Sequence, residues 1–256
     1  MHLHESTLGQ GPDLLLLHGW AMHSGIFAPL LPHLTPYFRV RCIDLPGHGQ
    51  SRDSAVALQL DGVWQQIAET LHTPTLLMGW SLGGLFALHG ALQGHAMLRG
   101  VILQNASPSF VAAPGWPQGM PAAVFQNFAA ELALDYRETL HRFFMLEAQG
   151  SEHVRADLRL LQKTAFEFGE PKPQALYDGL QLLESTDLRT QLPALPCRSL
   201  WLAGRRDRLV NPLAMQEAAR MANGAYHCDA HGGHAPFLTH PQDVARRIRD
   251  FHETLA

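Results

Sequence analysis

Cysteine is scarce in this chain of 256 residues: Cys42, Cys197 and Cys228 are an odd number at long spacings. That excludes a disulfide framework and a thiolate metal site, and leaves small apolar side chains, two of them in strand-like runs. An excess of basic charge is also missing, with 19 Lys and Arg against 23 Asp and Glu. Without a global positive field, nonspecific nucleic-acid binding is excluded, and an acidic partner has to be met by a local patch. Long apolar runs are absent as well. The most aliphatic stretch, Leu14 to Leu17, stops at His18, far short of the roughly 20 residues that span a bilayer. Met1-His2-Leu3-His4-Glu5 lacks the charged start, apolar stretch and small-residue cleavage site of a secretory leader, so a cytoplasmic protein without membrane association is expected. Repeats, low-complexity tracts and long linkers are lacking too, which points to one domain. Apolar material is plentiful: 46% of residues are hydrophobic and 16% charged, which excludes disorder and provides for a substantial core.

Strand-like runs recur at 13–17, 38–44, 75–79, 100–104, 197–203 and 225–229, with helix-like segments between them. This alternation predicts an α/β fold with a mostly parallel sheet covered by helices on both faces. The unbroken hydrophobicity of Leu14 to Leu17 and of Val101 to Leu103 predicts strands buried on both sides, in the middle of the sheet. From 109 to 186 the strand pattern gives way to amphipathic helices broken by Pro114, Pro117, Pro121, Gly150 and Pro171-Lys172-Pro173. Residues 109–186 are therefore expected to form a helical lid inserted into a core made of 1–108 and 187–256. One lid helix is expected to start at Ser151 as its N-cap, with Val154, Leu158, Leu161 and Ala165 along one side.

The strand at 75–79 runs into Gly79-Trp80-Ser81-Leu82-Gly83-Gly84 and then into helix-forming residues. Gly-x-Ser-x-Gly in a strand-turn-helix setting presents a serine hydroxyl at a sheet edge, in backbone geometry that only flanking glycines permit. By chance the pentad arises in roughly one in ten chains of this length, so its partners decide. A serine needs a general base and an acid to orient that base. His234, in Gly233-His234-Ala235-Pro236, follows the strand at 225–229, and Asp207 follows the strand at 197–203. Open α/β sheets assemble their sites at these carboxyl ends. Asp187 and Asp44 compete with Asp207, whose place after the penultimate strand favours it; Asp44 is expected to support the turn at 46–49. His231 competes with His234, and a zinc site built on the two lacks a third ligand at a sensible spacing. Oxyanion donors are expected from the amides of Leu82 and of Trp20, the latter in the turn after the strand at 13–17 that His18 shapes.

Together, His18-Gly19-Trp20, the run from Asp44 to Ser51, Gly79 to Gly83 and Gly233 to Pro236 resemble the α/β-hydrolase family along the whole chain. The order Ser81, Asp207, His234 is that family's order. Within it the chain resembles the carboxylesterases of biotin synthesis, through Trp20, Trp80, Arg142 to Leu146, Gly150, Glu152, Arg155, Asp157, Arg159 and Thr186 to Arg189. The resemblance implies hydrolysis of the methyl ester at the far end of a pimeloyl chain tethered to acyl carrier protein, by a monomer that needs no cofactor or metal. It also implies substrate contacts at Trp20, Ser81, Leu82, Phe143, Phe144, Met145, Leu146, Glu147 and His234, and carrier-protein docking at Arg142, Arg155 and Arg159. From the residues themselves, Phe143, Phe144 and Met145 are equally explained by lid packing. The stripe Arg155, Arg159 and Lys163 is equally explained by a solvated helix face partnered by Glu152 and Asp157. Glu138 stands where another basic residue is expected, with Arg137 beside it. A general short-chain esterase, a carbon-carbon bond hydrolase or a perhydrolase would use the same triad, and a binding protein could keep the fold without the chemistry.

Overall fold

The computed structural model describes residues 3–255; Met1 and His2, part of the stretch read for a leader, and Ala256 lie outside the described residues. Seven strands form one sheet in the order β1-β3-β2-β4-β5-β6-β7. They are β1 (Glu5–Leu8), β2 (Asp13–Leu17), β3 (Arg39–Ile43), β4 (Thr75–Trp80), β5 (Leu98–Gln104), β6 (Arg198–Gly204) and β7 (Ala225–Asp229). All pairings are parallel except that of β1 with β3. The apolar runs in β2 and β5 are buried throughout and sit inside the sheet, as their lack of polar alternation demands.

Strand β1 was not among the expected strands. Its four residues, Glu-Ser-Thr-Leu, are mostly exposed and pair along one edge only, so they carry no hydrophobic signature. Glu5 is held instead by Arg41 of β3, which donates two hydrogen bonds of 2.7 Å to its carboxylate.

The helices are α1 (Leu31–Leu34), α2 (Leu60–Ala68), α3 (Leu82–Leu92), α4 (Ala122–Leu134), α5 (Tyr136–Ala148), α6 (Val154–Phe166), α7 (Pro173–Ser185), α8 (Pro212–Met221), α9 (Pro236–Thr239) and α10 (Pro241–Glu253). Among the described residues, no helix is long and apolar enough to cross a membrane. Helix α3 is buried along nearly its whole length and packs behind β4 and β5. Helices α4 to α7 all lie between β5 and β6 in sequence. The chain leaves and re-enters the sheet layer at adjacent points, where Ser109 bridges Asp187 and Leu188 donates to the Pro108 carbonyl at 2.9 Å.

The start of α6 differs from expectation. Its N-cap position is His153, not Ser151. The Ser151 hydroxyl works one turn earlier, accepting from the His153 amide at 3.0 Å and donating to the buried Asp157 carboxylate at 2.5 Å. Leu161 and Ala165 are buried as expected, whereas Val154, in the first turn, is exposed.

Strand order reverses between β2, whose chain proceeds outward to β3, and β4, which lies on its other side. The carboxyl ends of adjacent strands at such a reversal diverge and leave a crevice. The turns after β2 and β4 carry Trp20 and Ser81 into that crevice.

Candidate active site

Ser81 sits between β4 and α3 with φ 53° and ψ −118°, a left-handed backbone outside the regions that side-chain-bearing residues favour. Its amide donates to the Gln104 carbonyl at 3.1 Å, and its neighbours explain why the strain persists. A Cβ on Gly79 would lie 2.1 Å from the Gly83 carbonyl oxygen; one on Gly83 would lie 2.3 Å from that of Leu17 and 2.4 Å from that of His18. The helix start is thus pressed against the turn after β2. Gly83→Ala is expected to force these backbones apart at a cost of about 3 kcal/mol, read by thermal denaturation as a Tm lower by roughly 10 °C. An unchanged Tm would show that the turn gives way freely.

His234, in the loop between β7 and α9, donates from Nδ1 to Asp207 Oδ2 at 2.9 Å, and both side chains are fully buried. Asp207 Oδ1 accepts from the amides of Leu209 and Val210 at 2.8 and 3.0 Å. A carboxylate that only accepts keeps the ring proton on Nδ1 and leaves the Nε2 lone pair free. That Nε2 is buried and, among the described residues, has no hydrogen-bond partner. The Trp80 indole donates to the His234 carbonyl at 2.9 Å, tying the residue before Ser81 to the histidine loop. The rival residues are occupied elsewhere. Asp187 is paired with Arg189 at 2.6 Å, Asp44 accepts from the amides of Ser24 and Gln50 at 2.8 Å each, and His231 is exposed and bonded to Glu152 at 2.9 Å.

The turn after β2 reaches Ser81 directly: a Cβ on Gly19 would lie 3.3 Å from the Ser81 Cβ. Among the described residues, the amides of Trp20 and Leu82 donate to no protein acceptor. His18 braces this turn. Its Nε2 accepts from the Leu45 amide at 2.8 Å, so its proton lies on Nδ1, which donates to the Gly19 carbonyl at 2.8 Å. Burial, reinforced by neighbouring His48, lowers His18 to about 3, which keeps it neutral and outside proton transfer.

Helices α5 and α7 cover the crevice. The Trp20 indole donates to the Leu176 carbonyl of α7 at 2.8 Å, and the Phe143 ring of α5 meets its face edge-on with centroids 4.5 Å apart. Ser81 is 4% exposed and His234 0%. Glu147, one helical turn after Phe143 on the same side of α5, is 2% exposed, and among the described residues neither carboxyl oxygen has a partner. Burial, together with the nearby Asp207 charge, raises its carboxyl well above the ordinary range, which favours its neutral form.

Not every residue implied as a substrate contact gathers here. Met145 and Leu146 line an outer groove of about 680 Å³ with Val124, Phe128 and Val154. Phe144 faces a different groove beside Phe166 and Arg137. Helical periodicity divides these neighbours among different faces, which consecutive numbering conceals.

The basic residues also divide. Arg142 is paired with Glu131 at 2.6 Å and Arg137 is bonded to Glu170 at 2.8 Å. Arg155, Arg159 and Lys163 are exposed and, among the described residues, form no ion pair. Their expected partners are engaged elsewhere: Asp157 with Ser151, and Glu152 with His231, Arg206 and His240. The stripe is therefore a local positive patch on an acidic chain.

Sequence reasoning passed over Asn105, whose side chain donates to Asp207 Oδ2 at 2.7 Å. The available signal was an asparagine, tolerant of left-handed backbone, directly after a buried strand.

The chain is similar to several known proteins. The chain is 48% identical over 255 residues to the pimeloyl-[acyl-carrier protein] methyl ester esterase of Stenotrophomonas maltophilia (strain K279a), covering 99% of this chain and 98% of the relative. It is 47% identical over 250 residues to the enzyme of the same name from Xanthomonas oryzae pv. oryzae (strain MAFF 311018), covering 97% and 98%. Among solved structures, an esterase from Exiguobacterium antarcticum superposes with a TM-score of 0.88 at 20% identity, over 97% of this chain and 94% of that one, a likeness of fold. Residues 14–247 match the alpha/beta hydrolase family, and with the serine turn after β4, the acid after β6 and the histidine after β7 all in place, the chain belongs to that family.

Proposed function

We propose that this chain is a serine carboxylesterase that hydrolyses the methyl ester of pimeloyl-[acyl-carrier protein] to the free carboxylate and methanol, in biotin synthesis. The chemistry rests on the buried His234–Asp207 pair beside the strained turn of Ser81. Ser81 Oγ attacks the ester carbonyl while His234 Nε2 takes its proton, and the amides of Leu82 and Trp20 hold the oxyanion. As the tetrahedral intermediate collapses, His234 returns that proton to the departing methoxide and methanol leaves. Water, deprotonated by His234, then cleaves the acyl-enzyme and regenerates Ser81. Asp207, bonded to His234 Nδ1, is the acid that orients the imidazole; Glu147 makes no hydrogen bond to it.

The substrate assignment is supported by the near-full-length similarity to enzymes of that name and by the unpaired stripe on α6. Acyl carrier protein is acidic, so Arg155 and Arg159, with Arg142 nearby, attract it to the helical segment of 109–186, which acts as the lid over Ser81. The enzyme works as a monomer in the cytoplasm, in keeping with its three free cysteines.

The test is hydrolysis of the tethered ester, read by carrier-protein gel shift, beside p-nitrophenyl butyrate. Wild type is expected to cleave both. Arg155→Ala/Arg159→Ala is expected to lower kcat/KM on the tethered ester by about tenfold to a hundredfold at low salt, with the difference shrinking as salt screens the patch, and to leave the free ester unaffected. Survival of the tethered ester in the presence of wild type would leave a general short-chain esterase with the same triad.

A further inference from the structure

Resting on that reading of Ser81, Asp207 and His234, we infer that Asn105 is the positioning residue of the acid–base pair, a single amide that joins the loop bearing Asp207 to the loop bearing His234. Asn105 directly follows β5 in left-handed backbone, with φ 46°, and is fully buried. Its own amide donates to the Leu202 carbonyl of β6 at 2.8 Å, so its position is set by the sheet. From there Nδ2 donates both to Asp207 Oδ2 at 2.7 Å and to the Gly233 carbonyl at 3.0 Å.

The orientation of this amide is dictated by its surroundings. The Leu202 carbonyl only accepts, and Gln104 Nε2 donates to it at 3.2 Å, which fixes the Gln104 side chain. The same Nε2 donates to Asn105 Oδ1 at 2.5 Å. At the other end the Gly233 carbonyl and the Asp207 carboxylate also only accept. A flipped Asn105 would set its oxygen against two acceptors and its nitrogen against a donor. The result is a one-way chain of donors, Gln104 to Asn105 to Asp207, ending on the oxygen that also accepts from His234 Nδ1. Chains of this kind polarise one another and hold their members more firmly than separate pairs do.

Asp207 thereby receives four donors, the Leu209 and Val210 amides on Oδ1 and His234 and Asn105 on Oδ2. Without Asn105, Oδ2 is restrained by the imidazole alone and the Gly233 carbonyl, next to His234 in the chain, loses its donor. The imidazole then tilts relative to Ser81. Misplacement of this kind is felt in the chemical step rather than in substrate binding. The groups facing Asp207 in this compartment are His234 from the β7–α9 loop and the buried carboxyl of Glu147 from α5. A carboxylate at 105 would oppose Asp207, which the Asn105 amide now contacts.

Two variants separate donation from space-filling. Asn105→Gly removes the side chain while accepting the left-handed backbone freely. Asn105→Asp keeps the shape and replaces the donor with an acceptor. On p-nitrophenyl butyrate, Asn105→Gly is expected to lower kcat about tenfold and Asn105→Asp about a hundredfold, both with KM within about twofold of wild type and both folded by thermal denaturation. The downfield proton resonance of His234 Nδ1 is expected to move in both variants and to stay in place in Ser81→Ala. A role limited to filling space predicts the opposite order, with the isosteric Asn105→Asp the milder change. That order, or a loss confined to KM, overturns the proposal while an inactive Ser81→Ala leaves the reading of the site intact. Activity retained by Ser81→Ala overturns both.

Discussion

Ser81→Ala is expected to lower kcat on p-nitrophenyl butyrate by about 10⁴-fold to 10⁶-fold and to leave the fold unchanged. The loss is large because in the proposed mechanism the serine oxygen forms the covalent bond, and no neighbouring hydroxyl occupies the same strained turn. The fold survives because the Ser81 side chain makes no hydrogen bond of its own among the described residues, and its position is set by its backbone amide on Gln104. Alanine and serine meet the left-handed backbone on similar terms. The measurement is steady-state hydrolysis beside a thermal melt. A variant that keeps more than about a tenth of wild-type kcat would mean that the nucleophile lies elsewhere.

Asp207→Asn is expected to be nearly as damaging, about 10⁴-fold in kcat with KM little changed. The surroundings decide which way the new amide faces. The Leu209 and Val210 amides both donate to Oδ1, so the oxygen has to stay there and the nitrogen has to take the place of Oδ2. That nitrogen then confronts two donors, His234 Nδ1 and Asn105 Nδ2. His234 relieves its side by moving its proton to Nε2, the atom that has to be bare to act as a base. Asn105 has no second tautomer and stays opposed to a donor. A loss of less than about tenfold would remove Asp207 as the orienting acid. Comparison with Asn105→Gly then separates the two effects, since that variant loses a positioning bond while the imidazole keeps its tautomer.

What could be read from the sequence was what local chemistry determines. Leu14 to Leu17 has no polar alternation and lies in an interior strand. Gly79 and Gly83 mark the serine turn because backbone contacts within that turn and with the end of β2 leave no room for a Cβ. The meeting of Asp207 and His234 was legible because the ends of parallel strands lie at one edge, so position after a strand implies proximity across the sheet. Features that depend on distant partners were not legible. Edge strand β1 is held by Arg41, a residue in another strand. Glu152 was read as a neighbour for the α6 arginines, yet it pairs with His231, 79 residues further along. Arg142 has a partner on the preceding helix, Glu131. Asn105 has no motif around it, and its importance follows from contacts 102 and 128 residues away.

The order of strands across the sheet is also an order in time. Residues 5–104 supply β1, β3, β2, β4 and β5, which are contiguous, and the later strands β6 and β7 are added along one edge. A chain emerging from the ribosome therefore carries Ser81 and the strands on both sides of its turn before Asp207 and His234 have been made. At about 5 to 20 residues per second, His234 follows Ser81 by on the order of ten seconds. On the mechanism proposed above, hydrolysis has to wait for His234, which comes after the last strand.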